Sequence, residues 1–318
     1  MLSRTAANLF WMARNLERSE TTARLLDLGF RNALLPNAGG GFRNEWSAIL
    51  QSKGNLQNFT EKYGDLVQRN VESFLFFDRD NPSSVASCLH AARENARIVR
   101  TALTSQVWDA INTSYQQLQA MARRERSSLE VPELTDWTVR TAALIRGAIE
   151  ATQLRNDGYR FMNLGYAVER ADNTARFLDV KYYVLLPSIA YVGSGLDNYQ
   201  WTTLLRALSA HRSYNWAYRG GELSAANIAH FLILNPQFPR SIVSCSLEMN
   251  EHLDHLARIY HRSTPAQECA RELLGELAEA HIDDVFDEGL HEFLSRMITQ
   301  NARLAACIQD QYLTGEAR

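Results

Sequence analysis

The chain writes one twenty-residue segment twice, and this repetition restricts the fold more than any other feature. Asn8–Asp27 reads NLFWMARNLERSETTARLLD, and Arg160–Asp179 reads RFMNLGYAVERADNTARFLD. Glu17-Arg18 falls on Glu169-Arg170, Thr22-Ala23-Arg24 on Thr174-Ala175-Arg176, and Leu26-Asp27 on Leu178-Asp179, every pair 152 positions apart. A second pair, Phe74–Cys88 (FLFFDRDNPSSVASC) and Phe231–Cys245 (FLILNPQFPRSIVSC), is offset by 157 positions, a difference that a short loop insertion absorbs. Such a period lies well beyond the roughly 20–50 residues of stacked solenoid repeats. It predicts one domain over 1–318, built from two repeated halves of about 1–155 and 156–318 in a pseudo-two-fold relation.

The pattern inside the halves is helical. From Ala6 to Leu34, the residues Leu9, Met12, Leu16, Ala23, Leu26 and Phe30 recur at steps of three, four and their sum, seven. Pro36–Gly41 (PNAGGG) breaks the pattern and predicts a loop; no strand precedes it and no P-loop lysine follows. Further helices are expected over about 56–78, from an Asn81 cap to about Thr104, over 136–154, from 159 to Pro187, over 201–218, and from Pro265 to the C-terminus. No run alternates with period two, so the expected class is all-α, a multi-helix bundle.

Composition narrows the function. A net charge of −3 gives no general attraction to nucleic acid or anionic membrane. No stretch reaches the roughly 18 apolar residues of a membrane span. Cys88, Cys245, Cys269 and Cys307 are scattered without a CxxC, as in a reducing cytoplasm, and no cofactor motif is present. Of 33 basic residues only Lys53, Lys62 and Lys181 are lysines, which leaves 30 arginines. Genomic base composition accounts for such a bias; so does a need for fork-shaped guanidinium groups that hold carboxylate or phosphate.

On a helix, Glu17, Glu20 and Arg24 share a face, and Glu169, Asp172 and Arg176 repeat the arrangement. Three readings stand side by side: a solvated salt-bridge face, a buried structural network, or a ligand or catalytic site with Glu17 or Glu169 as general base. Arg93, Arg97 and Arg100 form a stripe, with Glu94 inside it, that calls for an anion or for carboxylates such as Glu17 and Glu169 opposite. Arg240 and Ser241, at the repeated helix start, extend this candidate anion wall. His252 and His255, with Glu248 and Glu251 four residues before each, lack the HExxH pattern, so no metal is expected. The eight acidic residues from Glu272 to Glu292, with no Lys or Arg among them, form a solvated face or a docking surface for a basic partner.

With Glu-Arg in both long helices, Ala92–Arg97 (ARENAR) in a third and Phe238–Ser241 (FPRS) in the second half, the whole chain resembles the bacterial alpha-E family. The resemblance implies an all-helical domain whose motif residues here are Glu17, Arg18, Glu169 and Arg170, then Arg93, Glu94, Asn95 and Arg97, then Pro239, Arg240 and Ser241. It also implies two partners, a circularly permuted ATP-grasp ligase-like protein and a transglutaminase-like cysteine protease, in a peptide-synthesis or peptide-modification system. The expected role is an accessory, substrate-binding component with an Arg-rich cleft for an anionic or peptide ligand. The alternative is a stand-alone amide- or acyl-transfer enzyme.

Overall fold

Two long helices, α1 (Ser3–Ala33) and α8 (Asp157–Leu185), lie side by side at the centre of the computed structural model, which describes residues 1–34, 43–185, 195–221 and 223–314. Contacts climb both helices together: the Met1 amino group pairs with Asp157, Phe10 meets Gly165, and Arg18 meets Glu169. The two helices therefore run parallel. They touch closely because Gly165 has no side chain; a Cβ there would collide with the Phe10 carbonyl oxygen and crowd Ala13.

Most of α1 is buried, including Glu17, Ser19, Glu20, Thr21, Thr22 and Arg24. A helix buried on several sides needs neighbours all round. Those of α1 are α8, α5 (Val85–Ile98) and α7 (Val131–Thr152). Those of α8 are α1, α12 (Ile242–Tyr260), α15 (Leu290–Ile308) and α2 (Arg43–Ser52). Outside this layer, α6 (Ser105–Ala122) packs on α5 and α7, and α13 (Pro265–Glu279) packs on α12 and α15. The remaining helices are α3 (Leu56–Tyr63), α4 (Gln68–Glu72), α9 (Gly195–Ala207), α10 (His211–Ala217), α11 (Ala225–Ile233) and α14 (Ile282–Glu288). Among the described residues there is no strand, and no helix is long and apolar enough to cross a membrane.

The repeated Ser-containing segments start α5 and α12 in the same way. Ser84 Oγ accepts from Ser87 N, and Ser241 Oγ accepts from Ser244 N, each satisfying an orphan amide of a first turn. Thr22 Oγ1 of α1 donates to Ser83 O, and Thr174 Oγ1 of α8 donates to Arg240 O. These bonds dock each cap onto its long helix.

Several expected boundaries shift. The cap of α5 is Ser84, because Asn81 Oδ1 is engaged by Ser83 N in a turn and Asn81 Nδ2 donates to Phe74 O. The helix expected over 56–78 divides at Gly64, whose positive φ of 71° ends α3. The one expected over 201–218 divides at Ser209, where φ is 56°. The C-terminal section breaks at Ala280–His281 and at Gly289. The expected loop at Pro36–Gly41 and the expected helix stop at Pro187 lie outside the described residues.

Candidate functional site

Glu169 sits one turn past Gly165, so its carboxylate enters the α1–α8 seam with almost no exposure to solvent (2%). Arg18 donates to it from Nε at 2.6 Å and from Nη2 at 2.9 Å, and Arg14 donates from Nε at 2.9 Å. Burial would raise the Glu169 carboxyl, but the charges and hydrogen bonds of Arg18, with Arg14 and Lys53, hold it down to about 2. Close by, Arg176 holds Asp172 and reaches Ser52 O, and Lys53 donates to Asn173 Oδ1. Burial lowers the Lys53 amine to about 8, against the pull of Asp172 and Glu169.

The other couple builds a denser cluster. Glu17 is fully buried, and its Oε1 accepts from Arg240 at 2.7 Å. Its Oε2 accepts from Arg146 at 2.7 Å and from Arg170 at 3.2 Å. Glu20 accepts from Arg240 at 2.6 Å, from Arg24 at 2.7 Å and from Arg146 at 3.0 Å. Arg24 continues to Ala207 O. Burial pushes the Glu17 carboxyl up, yet Arg170, Arg240 and Arg146 outweigh it and keep the group well below its ordinary value.

Two carboxylates thus face four guanidiniums in this cluster. Glu248, 3.8 Å from Arg170, stands at the exposed edge of the cluster, where water screens its charge; burial pushes its carboxyl up, against the pull of Arg170. Three donors there have no hydrogen-bond partner among the described residues: Tyr166 Oη, Arg146 Nε and Arg170 Nε. Tyr166 lies beneath Arg146, its ring centre 5.1 Å from the guanidinium carbon. The cluster reaches the surface at Arg146 (28% side-chain exposure) and Glu248 (38%).

Of the residues singled out in the sequence, Glu17, Glu169, Arg18, Arg170 and Arg240 come together along α1 and α8, and Ser241 caps the adjoining helix. Arg93, Glu94, Asn95, Arg97 and Arg100 are placed elsewhere. Helix α5 turns Val85, Leu89, Ala92 and Ala96 inward, which leaves Arg93, Glu94, Asn95 and Arg97 half-buried or exposed, and Arg100, in the turn just past α5, is exposed. Arg93 binds Asn112 of α6 and Glu94, Arg97 binds Glu94, and Arg100 lies over the Trp108 ring. None of the stripe's ion pairs reaches Glu17 or Glu169.

His252 and His255 are not brought together as a ligand pair. His252 contacts Arg160, with burial and that charge lowering it to about 4, and His255 turns to the carbonyl of Glu251. Among the described residues no three His, Cys, Asp or Glu side chains are placed to hold a metal. Part of the acidic run from Glu272 to Glu292 is neutralised by α15, where Arg296 binds Glu276 and Glu288, and Arg303 binds Glu272. The cysteines nearest the two couples, Cys88 and Cys245, are buried and raised to about 12, which suits packing better than nucleophilic attack.

Arg146, Arg14 and Tyr166 carry no signal in the sequence. Arg146 is an isolated arginine of α7, and the repeat places Tyr166 at the position of Arg14, so the two copies hide each other's role.

A family model described as a predicted alpha-helical domain with a conserved ER motif matches residues 1–313. The chain belongs to the Alpha-E family. Glu-Arg dipeptides occur in the two couples just described. A third such dipeptide, Glu125-Arg126, lies in the turn before α7, where Arg126 covers the Phe77 ring. Among curated proteins and solved structures nothing matches this Alpha-E chain.

Proposed function

We propose that this Alpha-E chain is a helical binding component that takes the carboxylate or phosphate of a peptide-like ligand at the Glu17–Glu20 cluster. One observation carries the reading: four guanidiniums against two carboxylates, with the Tyr166 hydroxyl, Arg146 Nε and Arg170 Nε unpartnered beside them. Buried charge without a counter-charge is strongly destabilising, and an oxyanion entering past Arg146 and Glu248 would relieve it. The family resemblance supports the setting, an ATP-grasp-linked system for peptide synthesis or modification. Its partners would be the circularly permuted ATP-grasp ligase-like protein and the transglutaminase-like protease.

In this reading the halves 1–155 and 156–318 descend from one duplicated unit, related by a pseudo-two-fold axis along α1 and α8. The crossed pairs Arg18–Glu169 and Arg170–Glu17 support it, as do the twin Ser84 and Ser241 caps. Glu169 and Asp172, with their four cations, would then serve mainly to join the halves. The stand-alone enzyme is the weaker reading, because carboxylates held so far below neutral accept protons poorly.

Calorimetric titration of the purified chain with inorganic phosphate and with diglutamate tests the proposal. Saturable binding of either probe, weakened roughly ten-fold by Arg146→Gln, is expected. Heats no different from dilution for both probes would overturn it. Co-expression with the ligase-like partner tests the setting, with stable co-purification expected and separate elution counting against it.

A further inference from the structure

A second candidate binding site lies outside the anion cluster, between α10 and the turn joining α11 to α12. Trp216, Phe231, Phe238, Pro239, Arg212 and Asn235 line a groove of about 600 Å³. That volume falls within the roughly 300–1,000 Å³ of ligand pockets. Trp216 is 89% exposed, more than any other large apolar side chain among the described residues. An indole left in water forgoes one of the largest burial gains a side chain offers, and such a ring at a pocket rim is a common anchor for a ligand.

The wall behind it is firmly built. Phe231 and Phe238 stack at 4.5 Å, and Tyr214 and Tyr218 pack against Phe231. Asn235 fixes the turn: its side chain accepts from Gln237 N, and its carbonyl accepts from Ser241 Oγ at 2.6 Å.

Charge indicates what fits. Arg212 is the charged residue of the lining and has no ion pair among the described residues. Along the chain, 195–222 carries Arg206, Arg212 and Arg219 and two acidic residues, Asp197, which Lys181 holds, and Glu222. On a chain of net charge −3, the groove sets one guanidinium, with no ion pair among the described residues, beside an aromatic wall.

We infer that the groove binds an acidic peptide through one apolar or aromatic side chain, set against Trp216 and Phe238, with a neighbouring carboxylate on Arg212. The groove adjoins the anion cluster through the Pro239–Arg240 peptide bond, but the inference does not depend on that cluster being occupied.

The test uses N-acetyl-L-phenylalanine, which carries ring and carboxylate, against N-acetyl-L-phenylalaninamide, which lacks the charge. Binding to the full chain is followed by ligand-observed NMR. The wild type should bind the acid with a Kd of order 1 mM and the amide several-fold more weakly. Arg212→Gln should bring the acid down to the level of the amide, and Trp216→Ala should abolish binding of both. The loss on Trp216→Ala separates this site from the anion cluster, to which Trp216 does not belong. Both Trp216 and Arg212 are exposed, so the variants should melt like the wild type. Absence of saturable binding to the wild type, or equal binding by the wild type and Trp216→Ala, would overturn the inference.

Discussion

Arg18 holds Glu169 through two nitrogens at once, Nε at 2.6 Å and Nη2 at 2.9 Å, across the seam between α1 and α8. The fork matches the carboxylate edge, so two bonds form in one plane with little freedom left to lose. Burial makes the match matter: a lone charge in that seam would be far from water, whereas the pair satisfies both sides. Taking one member away should therefore cost more than the pair itself contributes.

Glu169→Gln keeps the shape and removes the charge. Arg14, Arg18 and Lys53 then lose a common counter-ion, and Asp172 remains to balance them and Arg176. A loss of roughly 3–5 kcal/mol in unfolding free energy is expected from urea titration. A variant as stable as the wild type would show that the couple does not join the helices.

The Glu17 cluster should respond much more weakly to the loss of one cation. Arg146→Met removes one cation from a cluster with two in excess, and Glu17 and Glu20 keep Arg170, Arg240 and Arg24. Part of the lost attraction is offset by relieved repulsion, so the expected cost is below about 1.5 kcal/mol. Thermal melting checks the contrast; a penalty equal to that of Glu169→Gln would mean the cluster has no surplus charge.

How much of this was legible in sequence depends on what repetition can reveal. The doubled Glu-Arg and the four-residue spacing to Arg24 and Arg176 locate both couples on their helices. They do not say that Arg18 crosses to Glu169 and Arg170 to Glu17, because partner choice is set by how α1 and α8 meet. Arg146 belongs to a third helix and is invisible to both signals. The Arg93–Arg100 stripe shows the opposite failure. Its spacing is correct, but Val85, Leu89, Ala92 and Ala96 take the inward face, and Arg93 and Arg97 each stand one residue further on, a rotation of about 100°. The single helices expected over 56–78 and 201–218 missed Gly64 and Ser209, where positive φ ends a turn whatever the apolar pattern continues to suggest.

The closeness of α1 and α8 gives a separate prediction. Gly165 brings the Phe10 carbonyl and Ala13 within reach, and every ion pair in the seam is set by that spacing. Gly165→Val must push the helices apart, since the obstacle is backbone that cannot rotate away. Overpacking costs roughly 1–3 kcal/mol in a typical core, and here it also stretches Arg18–Glu169, so the upper end or beyond is expected. Unchanged melting of Gly165→Val would contradict the parallel contact.

Acid should weaken the fold through Glu169. The carboxyl has an ordinary value of 4.5 when unfolded; burial acts to raise it in the native protein, but Arg18, Arg14 and Lys53 bring it down to about 2. Between those values the unfolded chain binds more protons, so falling pH favours unfolding. The stabilisation is complete above about pH 5, declines from about 4.5, and is gone below about 2, an amount on the order of 3 kcal/mol. Other carboxylates add their own acid dependence, which the Glu169→Gln variant retains, so the informative quantity is the gap between the two proteins. That gap, measured by urea unfolding, should shrink by about 2 kcal/mol between pH 6 and pH 3. A constant gap would mean that Arg18 and its neighbours do not hold the charged form of Glu169 in the folded state.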